Sequence, residues 1–115
     1  MEKLIKKEGV IIMIQQLKTI KELHTQERKS ILELGLKLSE ELGELSEAIL
    51  TTENAPGCGY KCQTKNITKE RILEECVDII IVTLCIVFKS GFNFTNISNM
   101  LKVKINKWTE KSLKL

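Results

Sequence analysis

Apolar residues recur along this chain at the three-and-four spacing of amphipathic helices, in segments separated by the few breakers it contains. The first segment, about Ile11 to Glu27, has Ile14, Leu17, Ile20 and Leu23 as its stripe, and residues 1–12 read as a frayed extension ahead of it. The second runs from Ser30 to Leu50 without Pro and carries Ile31, Leu34, Leu38, Leu42, Leu45 and Ile49. Residues 51–66 hold the only Pro and two Gly and read as a loop, long for a small domain. A third helix is expected from about Thr68 to Lys89, closed by Gly91. Its β-branched run from Ile79 to Thr83 also suits a strand, but the unbroken pattern from Ile72 to Lys89 exceeds ordinary strand lengths. After Gly91, Thr95 or Asn96 is expected to cap a last helix bearing Ile97, Met100, Leu101, Ile105 and Trp108.

Composition agrees with this pattern. The 115 residues, 43% hydrophobic and 29% charged, suit one domain spanning 1–115, and one Pro with six Gly supplies too little turn chemistry for a many-stranded sandwich. The expected fold is an all-α bundle of four to five helices. A formal net charge of +3 is small, the charges are dispersed, and only Arg28 and Arg71 are Arg, so no nucleic-acid polymer is expected as a partner. The most apolar window, Cys76 to Phe88, is about half of the roughly 20 residues a bilayer requires and contains Asp78, so no membrane is expected. The N-terminus lacks a small-residue cleavage site after its apolar run, and a cytoplasmic protein is the expectation. Cys76 and Cys85 read as small core residues. Cys58 and Cys62 read as loop thiols whose spacing also suits zinc, without a matching second pair.

The chemistry lies in carboxylates set against apolar surface. At about 100° per residue, Leu34, Leu38, Leu42, Leu45 and Ile49 occupy an arc of the second helix from roughly 20° to 100° relative to Glu41, whereas Glu33, Glu40 and Glu47 cluster on the opposite flank. Glu41 therefore falls at the edge of the apolar stripe, with Glu44 one step of three residues away. On the third helix Asp78, the only Asp of the chain, precedes Ile79-Ile-Ile-Val82, and Glu75 shares its face. Such groups must be paired, protonated or bound to a cation, since an unpaired charge beside apolar packing costs several kcal/mol. Two readings remain open. Glu41 and Glu44 pair with Lys37 or Lys104 and Asp78 pairs with Arg71 or Lys89, or the four carboxylates converge on a hard divalent cation that keeps waters for phosphate oxygens to displace.

The string Leu38-Ser-Glu-Glu-Leu-Gly-Glu-Leu-Ser-Glu-Ala-Ile49, followed by Glu74-Glu-Cys-Val-Asp-Ile-Ile80, resembles the E-E-x-x-E and E-x-x-D signature of the MazG-like nucleotide pyrophosphohydrolases. These all-α NTP pyrophosphatases have the dimeric dUTPases and phosphoribosyl-ATP pyrophosphohydrolases as relatives. The resemblance covers about Leu17 to Lys111. It implies cleavage of a nucleoside triphosphate between its α and β phosphates with Mg²⁺, Mn²⁺ being an alternative, in a homodimer or homotetramer. Glu41, Glu44, Glu75 and Asp78 match the metal-ligand positions, and Glu41 or Glu44 would position the attacking water. Glu40 matches the additional Glu of the motif. Lys104 best matches a phosphate-binding Lys of the C-terminal helix, with Lys107 and Lys111 behind it. Lys37, Tyr60 and Lys61 complete the expected substrate contacts. Trp108 stands where many members carry Asn, and His24 resembles loosely the His or aromatic found before the second helix in relatives, although a surface position is expected for it.

No P-loop or Ser/His/Asp arrangement is present in the sequence. Two non-enzymatic readings stand beside the hydrolase: a helical homo-oligomeric interaction module with salt-bridged carboxylates, and a zinc-stabilised adaptor using Cys58 and Cys62.

Overall fold

A computed structural model describes residues 1–53 and 65–113, with side chains described from residue 69 in the second stretch. It is all-helical, with α1 (Glu2–Leu23), α2 (Ile31–Thr52), α3 (Lys65–Lys89) and α4 (Phe94–Leu113), and no strand among the described residues. The Ile79–Thr83 run is helical, because its β-branched residues sit within a pattern too long for a strand.

The first helix differs from its expected bounds at both ends. Residues 2–12 are helical rather than frayed, and Gly9 lies inside the helix with no neighbour near its missing Cβ. At the other end α1 stops at Leu23, and His24–Gln26 form a turn of 3₁₀ helix before Glu27 becomes extended. The connection to α2 is clamped by Lys89, whose Nζ donates to the carbonyls of Glu27 (3.0 Å) and Lys29.

Ser30 starts α2 by a reciprocal cap: its Oγ accepts from the Glu33 N–H at 3.1 Å while Glu33 Oε1 accepts from the Ser30 N–H at 3.3 Å. The helix continues through Thr51 and Thr52, two residues past the expected loop start, each hydroxyl donating to the carbonyl four residues earlier. The third helix begins at Lys65, three residues before its expected start at Thr68, and the rest of the expected loop lies outside the described residues. Its C-terminus is a Schellman motif: the Gly91 N–H donates to Phe88 O at 3.0 Å and the Phe92 N–H to Val87 O at 3.2 Å, with Gly91 at φ +91°. The last helix is capped by Asn93 rather than Thr95 or Asn96, since Asn93 Oδ1 accepts from the Asn96 N–H and Asn96 Oδ1 accepts from the Asn93 N–H.

Packing is unequal. The main contact runs between α2 and α3, and α1 touches α3 through its C-terminal part. No described helix packs along α4. Its anchor is Phe94, whose ring meets Phe88 edge-on at 5.2 Å, and Phe88 in turn stacks obliquely on His24 at 5.4 Å. The sole histidine is thus a half-buried part of this joint, not a surface residue. Cys76 and Cys85 are free and half-buried, and burial pushes the Cys85 thiol up.

Candidate functional site

Leu34, Glu41 and Ala48, each seven residues apart, are buried on α2, so Glu41 lies in the seam facing α3 and not at its edge. The seam has rotated relative to the apolar stripe: Ile31, Leu42 and Ile49, on the far side of that stripe, remain largely exposed. Across the seam α3 presents Glu75, also buried, and half-buried Asp78. Glu41 and Glu75 are only 5% and 8% exposed, which removes most of the hydration either charge would need.

One carboxylate oxygen from each of Glu41, Glu75 and Asp78 lies within 4.8 Å of the others. Glu44, half-buried, stands at the rim beside Glu75. The Glu75 carboxyl is pushed up from its ordinary value, first by burial and then by Glu44, Asp78 and Glu41 around it. Two oxygens, Glu41 Oε2 and Glu75 Oε2, are buried with no hydrogen-bond partner among the described residues. Unpaired acceptors of this kind are rare in folded proteins, and here both belong to one acidic cluster.

Of the pairings read from the sequence, one is present. Lys37 Nζ meets Glu41 Oε1 at 3.0 Å and Glu40 Oε2 at 3.7 Å, which raises the Lys37 pKa chiefly through the bond to Glu41. The partners expected for Asp78 are engaged elsewhere: Arg71 with Glu47 at 3.5 Å, and Lys89 with the carbonyls before α2. Among the described residues one lysine therefore faces four carboxylates. A divalent cation fits the donor set, which consists of hard carboxylate oxygens, two of them without another partner.

The structure brings Glu41, Glu44, Glu75, Asp78 and Lys37 together, with Glu40 at the margin. Lys104 and Lys107 belong to α4, which does not pack along α2 or α3; Lys104 lines a groove with Val87 and Phe92 instead. Tyr60 and Lys61, like Cys58 and Cys62, lie outside the described residues. The role of Glu27 was not read from the sequence: its side chain accepts from the Lys29 N–H at 3.0 Å and its carbonyl from Lys89, which holds α3 against the entry to α2. An acidic residue three before an N-cap Ser was the available signal. No described helix is long and apolar enough to cross a membrane. No family model, curated protein or solved structure matches the chain.

Proposed function

We propose that the chain is a divalent-cation-dependent nucleoside triphosphate pyrophosphohydrolase, acting as a homo-oligomer, with Glu41, Glu44, Glu75 and Asp78 as its metal-binding residues. The observation that carries this reading is the pair of buried, unpartnered oxygens on Glu41 and Glu75, next to Asp78 in a cluster with one neighbouring lysine. The E-E-x-x-E and E-x-x-D spacing supports the substrate class. Mg²⁺ or Mn²⁺ held there would supply charge neutralisation for the triphosphate and polarise the phosphorus under attack.

The residues of the chain divide the remaining work. Glu41, held by Lys37, and buried Glu75 form the fixed floor of the site. Glu44 is the more accessible acid and positions a water for in-line attack on the α-phosphorus, taking its proton as the new P–O bond forms. The bridge between the α and β phosphates breaks, and pyrophosphate leaves with the bridging oxygen. Lys37, the lysine already in contact with the cluster, is the first candidate to meet the phosphates once Glu41 has another counter-charge.

The test is release of pyrophosphate and matching monophosphate from a panel of canonical and modified NTPs and dNTPs with Mg²⁺ or Mn²⁺, beside Asp78→Asn and Glu44→Gln. The expected result is metal-dependent turnover that falls by about 10²–10³-fold in either variant, the range lost when one electrostatic contact to a developing charge is removed. Full turnover in either variant would refute the ligand set. Absence of turnover across the panel, together with no thermal stabilisation by the metals, would leave the non-catalytic helical module.

A further inference from the structure

Of the three glutamates in the Glu40-Glu41-Leu-Gly-Glu44 string, Glu40 is the one to which the cation site gives no work. It lies on the outer flank of α2 with its side chain 60% exposed, whereas the Glu41 side chain is 7% exposed. Lys37, one turn earlier on the same helix, stands three residues from the first and four from the second, the two spacings at which helical side chains meet. Its half-exposed ammonium therefore reaches both, Glu41 Oε1 at 3.0 Å and Glu40 Oε2 at 3.7 Å. One lysine thus has an inner and an outer carboxylate within its range.

The inner contact neutralises the cluster only in part. Lys37 takes one oxygen of Glu41, while Glu41 Oε2 and Glu75 Oε2 stay buried with no partner among the described residues. A single charge on a stem tethered to α2 does not bridge oxygens that come from two helices. A hard divalent cation does, because it carries twice the charge and takes several oxygen ligands at once. Both cations draw on the same carboxylate. The charge that holds Lys37 on Glu41 in the metal-free protein is repelled once Glu41 binds a divalent ion. The lysine head is a compact, strongly hydrated charge on a flexible stem, and Glu40 offers it a position on the solvent side that demands little desolvation.

We propose that Lys37 is an exchangeable counter-ion: it neutralises Glu41 in the metal-free protein, and a divalent cation entering the cluster displaces it to Glu40. The proposal rests on the reading of the four carboxylates as a cation site and adds to it a device that sets how tightly the ion is held. Lys37 competes with the metal, so the native site binds the ion more weakly than its carboxylates alone would. Glu40 favours the metal-bound state by receiving Lys37, so its contribution requires that Lys37 be present. A fixed ion pair between Lys37 and Glu41 has neither property.

The test is a double-mutant cycle read by calorimetric titration with Mg²⁺ and with Mn²⁺, without nucleotide, on the wild type, Lys37→Gln, Glu40→Gln and the double variant. Lys37→Gln is expected to bind the ions about fivefold more tightly, at the lower end of couplings between linked sites. Glu40→Gln is expected to bind about threefold more weakly while Lys37 is present and to change nothing in the Lys37→Gln background, the non-additivity that direct contact produces. An affinity that is unchanged or weaker in Lys37→Gln overturns the proposal. So does an equal loss from Glu40→Gln in both backgrounds, which would mark a long-range effect of its charge. Should Lys37→Gln fail to fold, the wild type carries the test. Acylation of Lys37 by an N-hydroxysuccinimide ester, mapped by peptide mass spectrometry against exposed Lys102, is expected to quicken when Mg²⁺ is bound, because the outer position is the more open one. Labelling that is unchanged or slower in protein that binds Mg²⁺ overturns the exchange and leaves the cation site and the hydrolase reading standing. Absence of ion binding in all four proteins overturns exchange and cation site together. The full cycle in a protein without turnover would leave the exchange standing and refute the hydrolase alone.

Discussion

Glu41 occupies a seam position between Leu34 and Ala48 where a leucine would pack without penalty. Among the described residues only Lys37 balances it, so Lys37→Ala should destabilise the metal-free protein, because the buried Glu41 charge is left without its partner. Saturating Mg²⁺ should recover much of that loss, because a cation replaces the missing charge; thermal melts with and without Mg²⁺ check both halves. Asp78→Asn should behave oppositely, raising metal-free stability by about 1 kcal/mol through relief of like-charge repulsion and abolishing the Mg²⁺ shift. A loss of stability in Asp78→Asn without metal would instead mark a structural carboxylate. The placement of these acids was legible in the sequence, because Glu41 and Asp78 interrupt apolar periodicity. Their depth was not. A wheel locates an apolar stripe, but the face that packs depends on where the partner helix sits, and α3 settles over Glu41 while leaving Leu42 and Ile49 outside.

The elements are held by short-range chemistry at their ends. At Gly91 a Cβ would meet no neighbouring atom within 4 Å, so Gly91→Ala tests the backbone alone: at φ +91° the expected loss is about 1–2 kcal/mol, measured by denaturant unfolding. The joint before α2 responds to pH. The Lys29 N–H, followed by the charges of Lys29 and Lys89, holds the Glu27 carboxyl below its ordinary value of 4.5. A depressed pKa means that the ionised form favours the fold, so this contribution is complete above pH 4.5 and is lost as pH falls from there through the folded-state value. The melting temperature of the wild type should therefore fall more steeply below that pH than that of Glu27→Gln; parallel curves would show that the contact contributes nothing to stability. Helix identity was readable from periodicity, and the starts at Ser30 and the stop at Gly91 from their residue types. The start of α4 was displaced because Asn93 and Asn96 cap reciprocally, an arrangement in which two Asn compete for one role until the backbone fixes which lies outside the helix.

At the scale of the molecule, apolar burial within one chain is thin: Leu34, Ala48 and Phe88 are its fully buried apolar residues among those described. The Cα radius of gyration of 17.5 Å exceeds the roughly 13 Å of a compact chain of this length. A sequence with 43% hydrophobic residues thus leaves much of that content on the outside of a single copy. Periodicity shows that a helix has an apolar face but not whether the same chain covers it, which is why the exposure of Ile80 and Trp108 was not legible. If the folded state is a dimer, unfolding releases two chains, and stability must grow with concentration. A tenfold increase in protein adds about 1.4 kcal/mol. Against an unfolding entropy of about 0.5 kcal/mol/K for two such chains, this raises the melting temperature by about 3 °C. Calorimetric scans at widely separated concentrations measure the slope directly. Trp108→Glu should abolish it, giving a melting temperature lower than that of the wild type and independent of concentration, because the stabilising contact is then missing from every copy at every dilution.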